Sequence, residues 1–381
     1  MADSSPPALP TARAFPEVVP ILIDAEAGVT LRAAGKKDLP AIVEQCRDPE
    51  MIRWTTVPTP PDGYQLRDAE EFLALTAVGW TTGQRLGWTI EAERDSARGF
   101  CGSIDLQLEG DGVAEVGFGL HPAARGRSIT AAALHLACNY GFEVVGLRVI
   151  RWRAVVGNWA SRRVAANAGF VFDGTVRSLL VHRGELLDGW IATLIRNDPR
   201  LPRPWLHPIE IQGDGIRLRA FRTSDADRIV EACSDPRTAH WLVTMPRPYQ
   251  RHNALAYLDS ITELAARGAG VAWCIADPKD DRCLGSISLD GLNGYAKRAE
   301  IGYWAHPDAR GRGVVTEAVR LVTRHARNSG LARSILIRCA RDNMASRQVA
   351  ENAGYITVGI QSACEPLGDG ELDDLVLYSC P

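Results

Sequence analysis

The sequence predicts an α/β fold of the α+β kind, present as two tandem copies of one domain. Three observations carry this. The run Ala299 to Ala318 reads as strand, short Arg/Gly loop and helix: Ile301 to Ala305 is apolar and aromatic, Pro307 ends it, and from Val314 apolar residues recur at helical spacing. A second copy, Glu115 to Ser128, lies 185 positions earlier, and the same offset maps Asn158–Arg162 onto Asn343–Arg347 and Asn167–Phe170 onto Asn352–Tyr355. Strand and helix patterns follow the same order in both halves. A period this long is a duplicated domain rather than a solenoid repeat.

The elements follow in order. Residues 1–20 are rich in Ala, Ser and Pro and read as a loose tail. The first domain is placed at 21–197. Val29–Arg32 reads as a strand, and Asp38–Arg47 as a helix capped by Asp38. Residues 54–64 hold three prolines and read as a loop, with a second helix near Asp68–Val78. Strands are expected at Gly87–Glu91, Gly99–Leu106 and Ala114–Leu120. After the first Arg/Gly loop comes a helix with Ile129, Ala132, Ala133, Leu136, Ala137 and Tyr140 on one face. Leu147–Val155 is a strand. Asn158 opens a short helix that Gly169 stops in a left-handed conformation. Strands near Phe170–Arg177 and Leu186–Ile195 close the domain. The Pro-rich stretch 198–213 reads as a linker, and residues 214–381 as the second domain.

Composition excludes several classes. Net charge is −3 and 23% of residues are charged, so neither nucleic acid nor a membrane is indicated as main partner. No apolar run is long enough to cross a bilayer, and the N-terminus shows no basic-then-apolar signal. The nine cysteines form no Cys-x-x-Cys and no zinc-spaced cluster, so they read as reduced core thiols, no metal is expected, and a cytoplasmic location is.

Glycine lets backbone N–H groups approach a ligand, and the following helix adds unpaired N–H groups and a positive dipole end. The loop Arg310-Gly311-Arg312-Gly313-Val314-Val315 is thus built to hold a phosphate or pyrophosphate. Neither a P-loop nor Gly-x-Gly-x-x-Gly fits it. It resembles the pyrophosphate loop of the GCN5-related N-acetyltransferases (GNAT), Arg/Gln-x-x-Gly-x-Gly/Ala. Arg310 and Gly313 match, and Val315 departs. The Asn-x-x-Ser-Arg and Asn-Ala-Gly-Phe/Tyr runs resemble the branch that acetylates ribosomal-protein N-termini (RimJ/RimL-like). The resemblance covers nearly all of both halves. It implies two mixed, mostly antiparallel sheets flanked by helices, and acetyl-CoA as co-substrate without a metal.

The resemblance also assigns site residues. Trp304, Ala305, His306, Arg310, Gly311, Arg312, Gly313, Val314, Val315 and Asn343 would meet the coenzyme. Arg125, Gly126, Arg127, Ser128 and Ile129 are the first-half counterparts. Glu300 and Glu115 would serve as the base, or are plain strand-end carboxylates. Asn343 and Asn158 are good helix caps that would also touch the pantetheine arm. Ser346 and Ser161 would lie near the thioester sulfur and protonate the thiolate. The family's commoner acid, a tyrosine a few residues later, is absent at Val349, Ala350 and Glu351. Trp54 and Trp241 line an acceptor pocket or pack in the core.

The two halves differ where Ser128 replaces Gly313. If that point needs a positive φ, serine costs stability or blocks phosphate, so the C-terminal half is expected to be the better coenzyme site. The acceptor is an amine on a peptide N-terminus or small molecule. Aminoglycoside, polyamine and metabolite stay open, and so does a homodimer. The competing expectation is a non-catalytic protein of two degenerate domains that binds or senses an acyl-CoA.

Overall fold

The computed structural model describes residues 18–94 and 97–380. The expected tail at 1–20 therefore falls almost wholly outside the described residues. The chain divides into two compact units between Arg203 and Pro204.

In the first unit, β1 (Leu22–Asp24) and β2 (Val29–Arg32) lead into α1 (Leu39–Arg47), α2 (Pro49–Trp54) and α3 (Leu66–Thr82). Three long strands follow, β3 (Arg85–Arg94), β4 (Ala97–Gly110) and β5 (Val113–Leu120), then α4 (Ile129–Tyr140), β6 (Val149–Val155), α5 (Trp159–Asn167), β7 (Val171–His182) and β8 (Glu185–Ile195). The sheet order is β1-β2-β3-β4-β5-β6-β8-β7, antiparallel except for the β5–β6 pair.

The second unit repeats the plan. Its elements are β9 (Ile211–Gln212), β10 (Arg217–Arg219), α6 (Ala226–Ser234), α7 (Pro236–Trp241), α8 (Arg251–Ala266), β11 (Gly270–Ala276), β12 (Cys283–Asp290), β13 (Arg298–Ala305), α9 (Val314–Asn328), β14 (Ser334–Ala340), α10 (Met344–Asn352), β15 (Ile356–Pro366) and β16 (Leu372–Ser379). The order is β15-β16-β14-β13-β12-β11-β10-β9, with β13 and β14 the parallel pair.

The periodic residues are the buried ones. On α9, Val315, Ala318, Val319, Val322 and Ala326 face the sheet, where Trp273, Ile287 and Ile301 complete the core. On α4, Ile129, Ala132, Ala133, Ala137 and Tyr140 do the same against Trp88, Ile104 and Trp152. Gly169 and Gly354 sit at φ +94° and +90°, the left-handed stop expected after each short helix.

Two local expectations change. Asp38 does not cap α1. Its carboxylate accepts two hydrogen bonds of 2.8 Å from Arg32 and one of 2.9 Å from the Gly35 N–H. Asp225 holds Arg219 in the same way. A guanidinium on the second strand of each unit, half-buried at Arg32 and buried at Arg219, has first claim on that carboxylate. Second, α2 and α7 are extra helices. Each opens with Asp-Pro, the aspartate (Asp48, Asp235) accepting from the N–H three residues on and proline filling the first helical position.

The Pro-rich stretch is tied down at both ends. The Arg203 N–H bonds the Ala166 carbonyl at 2.9 Å, the Leu206 N–H bonds the Ala265 carbonyl at 2.9 Å, and β9 joins the second sheet. All nine cysteines are free thiols; seven are buried, Cys364 is exposed and Cys380 half-buried.

Candidate active site

Each sheet parts at its parallel pair. β5 meets β6 only at Val113, Ala114 and Glu115, and β13 meets β14 only at Arg298, Ala299 and Glu300. Beyond these residues each strand stays paired with its antiparallel neighbour on one edge. The other edge, Val116–Leu120 or Ile301–Ala305, has no strand partner among the described residues. An extended ligand can hydrogen-bond along such an edge.

The opened strand leads straight into the Arg/Gly bend. Gly311 and Gly313 sit at φ +70° and +74°, and Gly126 at +78°. Ser128 adopts the same hand as Gly313, at φ +57°. A β-carbon added at Gly313 would meet nothing within 4 Å, so serine fits the space and carries only the strain of a left-handed backbone. Among the described residues, the N–H groups of Gly311 to Val315 and of Gly126 to Ile129 find no acceptor. They form a concave set of donors at the start of helices of 15 and 12 residues.

The first arginines of the bends turn away from it. Arg310 donates to Asp235 and to the Thr238 hydroxyl at 2.7 Å, and Arg125 pairs with Asp48. Arg312 lies 3.7 Å from Asp277, and Arg127 donates to the Glu93 carbonyl. His306 and His121 are buried turn caps: each accepts through Nδ1 from the N–H two residues on, and Nε2 meets Glu231 or Glu44. Trp304 packs with Phe221 and Tyr257, so along the opened edge it and Ala305 offer their backbone.

Asn343 and Asn158 are helix caps, their side-chain oxygens accepting from the N–H of Ser346 at 3.1 Å and of Ser161 at 3.2 Å. The two serine hydroxyls are held differently. Ser161 Oγ accepts from the Trp152 indole N–H at 3.0 Å. Ser346 Oγ lies 2.9 Å from the Tyr303 hydroxyl, which also donates to the Ser346 carbonyl at 3.1 Å. Burial pushes the Tyr303 hydroxyl up, so it stays protonated. Glu300 accepts from Arg338 Nε at 2.8 Å, and Glu115 pairs with Arg153 at the matching position.

A cavity of about 410 Å³ opens on the first unit's sheet, beside the point where β5 leaves β6. Trp54, Tyr64, Phe72 and Phe118 line it together with Asp105, Gln107, Glu115, Asn158 and Ser161. Its size is that of a small-ligand site. Asp105 is buried; it accepts from Arg85 at 2.7 Å and from Gln107 at 3.2 Å. Opposite Asp105 stands Gly117, which leaves its carboxylate uncovered: a β-carbon there would lie 3.4 Å from it. In the second unit the corresponding strand carries Ser288 and Asp290. The Ser288 hydroxyl donates to Asp290 at 2.7 Å, and Asp290 stands directly opposite Glu300.

Sequence reading named the caps, serines and bends but missed Tyr303, Trp152, Asp105 and Asp290. A tyrosine hydroxyl does meet Ser346, but it arrives from β13 rather than from the helix that Ser346 stands on. Alternation along a strand tells which residues share a face, but not which helix that face meets. Trp54 borders the cavity and is not one of the buried core residues.

Comparison with known proteins agrees with this architecture. The acetyltransferase (GNAT) domain model matches residues 29–171 and again 216–356. The chain therefore belongs to the GNAT acetyltransferase family, as a tandem of two domains. It is 37% identical over 101 residues to the ribosomal-protein-serine acetyltransferase of Escherichia coli (strain K12), covering 26% of this chain and 56% of that protein's length. It is 24% identical over 171 residues to the uncharacterized N-acetyltransferase p20 of Bacillus licheniformis, 45% of this chain and 94% of that one. Among solved structures, RimL, the ribosomal L7/L12 α-N-protein acetyltransferase in complex with coenzyme A, superposes with a TM-score of 0.40 at 22% identity, over 45% of this chain and 97% of that one. Among the described residues, no helix is long and apolar enough to cross a membrane, and no cluster of three His, Cys, Asp or Glu could hold a metal.

Proposed function

We propose that the chain transfers an acetyl group from acetyl-CoA to a primary amine by direct attack of the amine on the thioester. The observation that carries this is the opened strand edge running into the bend. An extended pantetheine arm would lie along Val116–Leu120 or Ile301–Ala305. Its pyrophosphate would sit on the N–H groups of the bend, where helix dipole and donors both favour an anion. The backbone does this work, because Arg125 and Arg310 are engaged elsewhere.

The acceptor is a peptide N-terminus or a small amine. The Escherichia coli relative, named a ribosomal-protein-serine acetyltransferase, favours the peptide. In the first unit the amine would enter the cavity beside Asp105 and Glu115, carboxylates that Arg85 and Arg153 already engage. Loss of its proton to water or a carboxylate gives the nucleophile. The preference for the C-terminal half, expected from Gly313, rests on the strain at Ser128, and that strain falls on stability rather than on the shape of the bend.

The test is free-thiol release from acetyl-CoA by the full chain, against peptides with free N-termini and a panel of small amines. Release that depends on the amine, lost on Asn158→Ala together with Asn343→Ala, supports transfer. Coenzyme binding without release against every amine favours the sensing alternative, for which the closed Tyr303–Ser346 contact in the second unit speaks.

A further inference from the structure

We propose that Trp152 is a positioning residue that makes Ser161, and not Ser346, the hydrogen-bond donor to the departing thiolate, so that the N-terminal half completes the transfer. This rests on the acetyl-transfer reading above and goes beyond it by assigning the chemistry to one half.

A serine hydroxyl has one hydrogen to give and two lone pairs to receive. An indole N–H can only donate. Trp152 Nε1, 3.0 Å from Ser161 Oγ, therefore occupies a lone pair and leaves the Ser161 hydrogen uncommitted. Trp152 is 1% exposed within the core, so its N–H is aimed by packing. The Ser161 backbone is held by Asn158, and the residue borders the cavity where β5 leaves β6.

The second unit has exchanged both partners. Ile337 stands where the first unit has Trp152 and brings no N–H. Tyr303 stands where the first unit has Phe118 and brings a hydroxyl. The Tyr303 hydroxyl lies 3.1 Å from the Ser346 carbonyl and 2.9 Å from Ser346 Oγ. A phenol hydroxyl can accept as well as donate, so Ser346 is held by a partner able to take its hydrogen, which the indole N–H facing Ser161 cannot do.

In the transfer step the amine nitrogen bonds the thioester carbon, the carbon–sulfur bond breaks, and its electron pair leaves on sulfur. The Ser161 O–H stabilises that sulfur by a hydrogen bond. The proton shed by nitrogen passes to water, and water protonates the thiolate, so the serine ends unchanged.

The experiment uses the full chain, acetyl-CoA, and two acceptor arms: a peptide with a free N-terminal serine, and n-butylamine. Ser161→Ala is expected to lower kcat roughly 10²-fold, and Trp152→Phe about tenfold, with KM for acetyl-CoA within about twofold. Ser346→Ala and Tyr303→Phe should each lower kcat at least about tenfold less than Ser161→Ala does. Coenzyme A affinity, read by calorimetry, should be unchanged in all four. Loss on Ser346→Ala with Ser161→Ala silent overturns the proposal. So does an unchanged kcat in folded Trp152→Phe, or a defect that appears in KM and coenzyme affinity instead of kcat. If Trp152→Phe does not fold, the two serine variants decide alone. No release from the unmodified chain in either arm overturns the acetyl-transfer reading and this inference with it.

Discussion

Arg310 and Asp235 are joined at 2.5 Å, and the same carboxylate oxygen caps α7 by accepting from the Thr238 N–H at 3.0 Å. One aspartate thus fixes both the helix start and the Arg/Gly bend, and Asp48 with Arg125 repeats the device. The arginine braces the loop from outside, and the concave face is left to backbone donors. That hydrogen bond, with the Thr238 cap, also holds the Asp235 carboxyl below the usual range.

Arg310→Ala should therefore act through loop order. Asp235 is left half-satisfied near the surface, which costs about 1 kcal/mol. Coenzyme A should bind severalfold more weakly at any salt concentration. If Arg310 instead met a phosphate, its loss would flatten the salt dependence of binding. Calorimetry at low and at moderate salt separates the two outcomes.

Ser128→Gly tests the difference between the bends at their left-handed position, serine in the first unit and glycine in the second. A non-glycine residue at φ +57° is strained by about 1 kcal/mol, and glycine removes the strain. The variant should raise the thermal midpoint of the first unit and leave coenzyme affinity within about threefold. A large gain in affinity would mean that serine had been distorting the donor set.

These two bends show how far a sequence reading goes. Strand, glycine bend and helix were legible because each has a local signature: apolar run, positive-φ residues and 3.6-residue spacing. The caps Asn158 and Asn343 were legible for the same reason. The small strands β1 and β9 were not, since two or three residues carry no period. Asp38 was misassigned because a cap is a local preference, and a guanidinium arriving from β2 outcompetes it. The Trp152–Ser161 and Tyr303–Ser346 contacts join a strand to a helix across the fold, and no spacing in the chain encodes which strand residue arrives.

Asp38 gives a pH prediction. Burial pushes its carboxyl up, but the hydrogen bonds from Arg32 and Gly35 outweigh it and hold the carboxyl below its ordinary value near 3.9. A lowered folded-state value adds stability that is fully present above about pH 4 and is lost as pH falls through the folded value. Asp38→Asn should destabilise the first unit by about 2 kcal/mol at pH 7, because Arg32 loses its two-point carboxylate partner and keeps only Glu91. The loss should shrink as pH falls below about 4. Urea midpoints at a series of pH values give this difference directly.

Asp290 should show the opposite sign. Burial raises its carboxyl and Glu300 opposite raises it further, against the hydrogen bond that Ser288 donates. A group whose folded value is raised binds more protons in the folded state, so its ionisation weakens folding as pH climbs from about 4 through the folded value. Asp290→Asn removes that slope and should make the second unit more stable than wild type above the window, with no gain below it. Ser288→Ala should steepen the slope, because the ionised carboxylate loses its donor. Midpoints that move in parallel for wild type and Asp290→Asn across pH 4 to 8 would show that Asp290 ionises as freely as it does in the unfolded chain. The cross-strand approach to Glu300 would then carry no electrostatic consequence. A difference between the two that grows with pH fixes Asp290 as a carboxyl held back from ionising, placed on the opened sheet directly opposite the expected base.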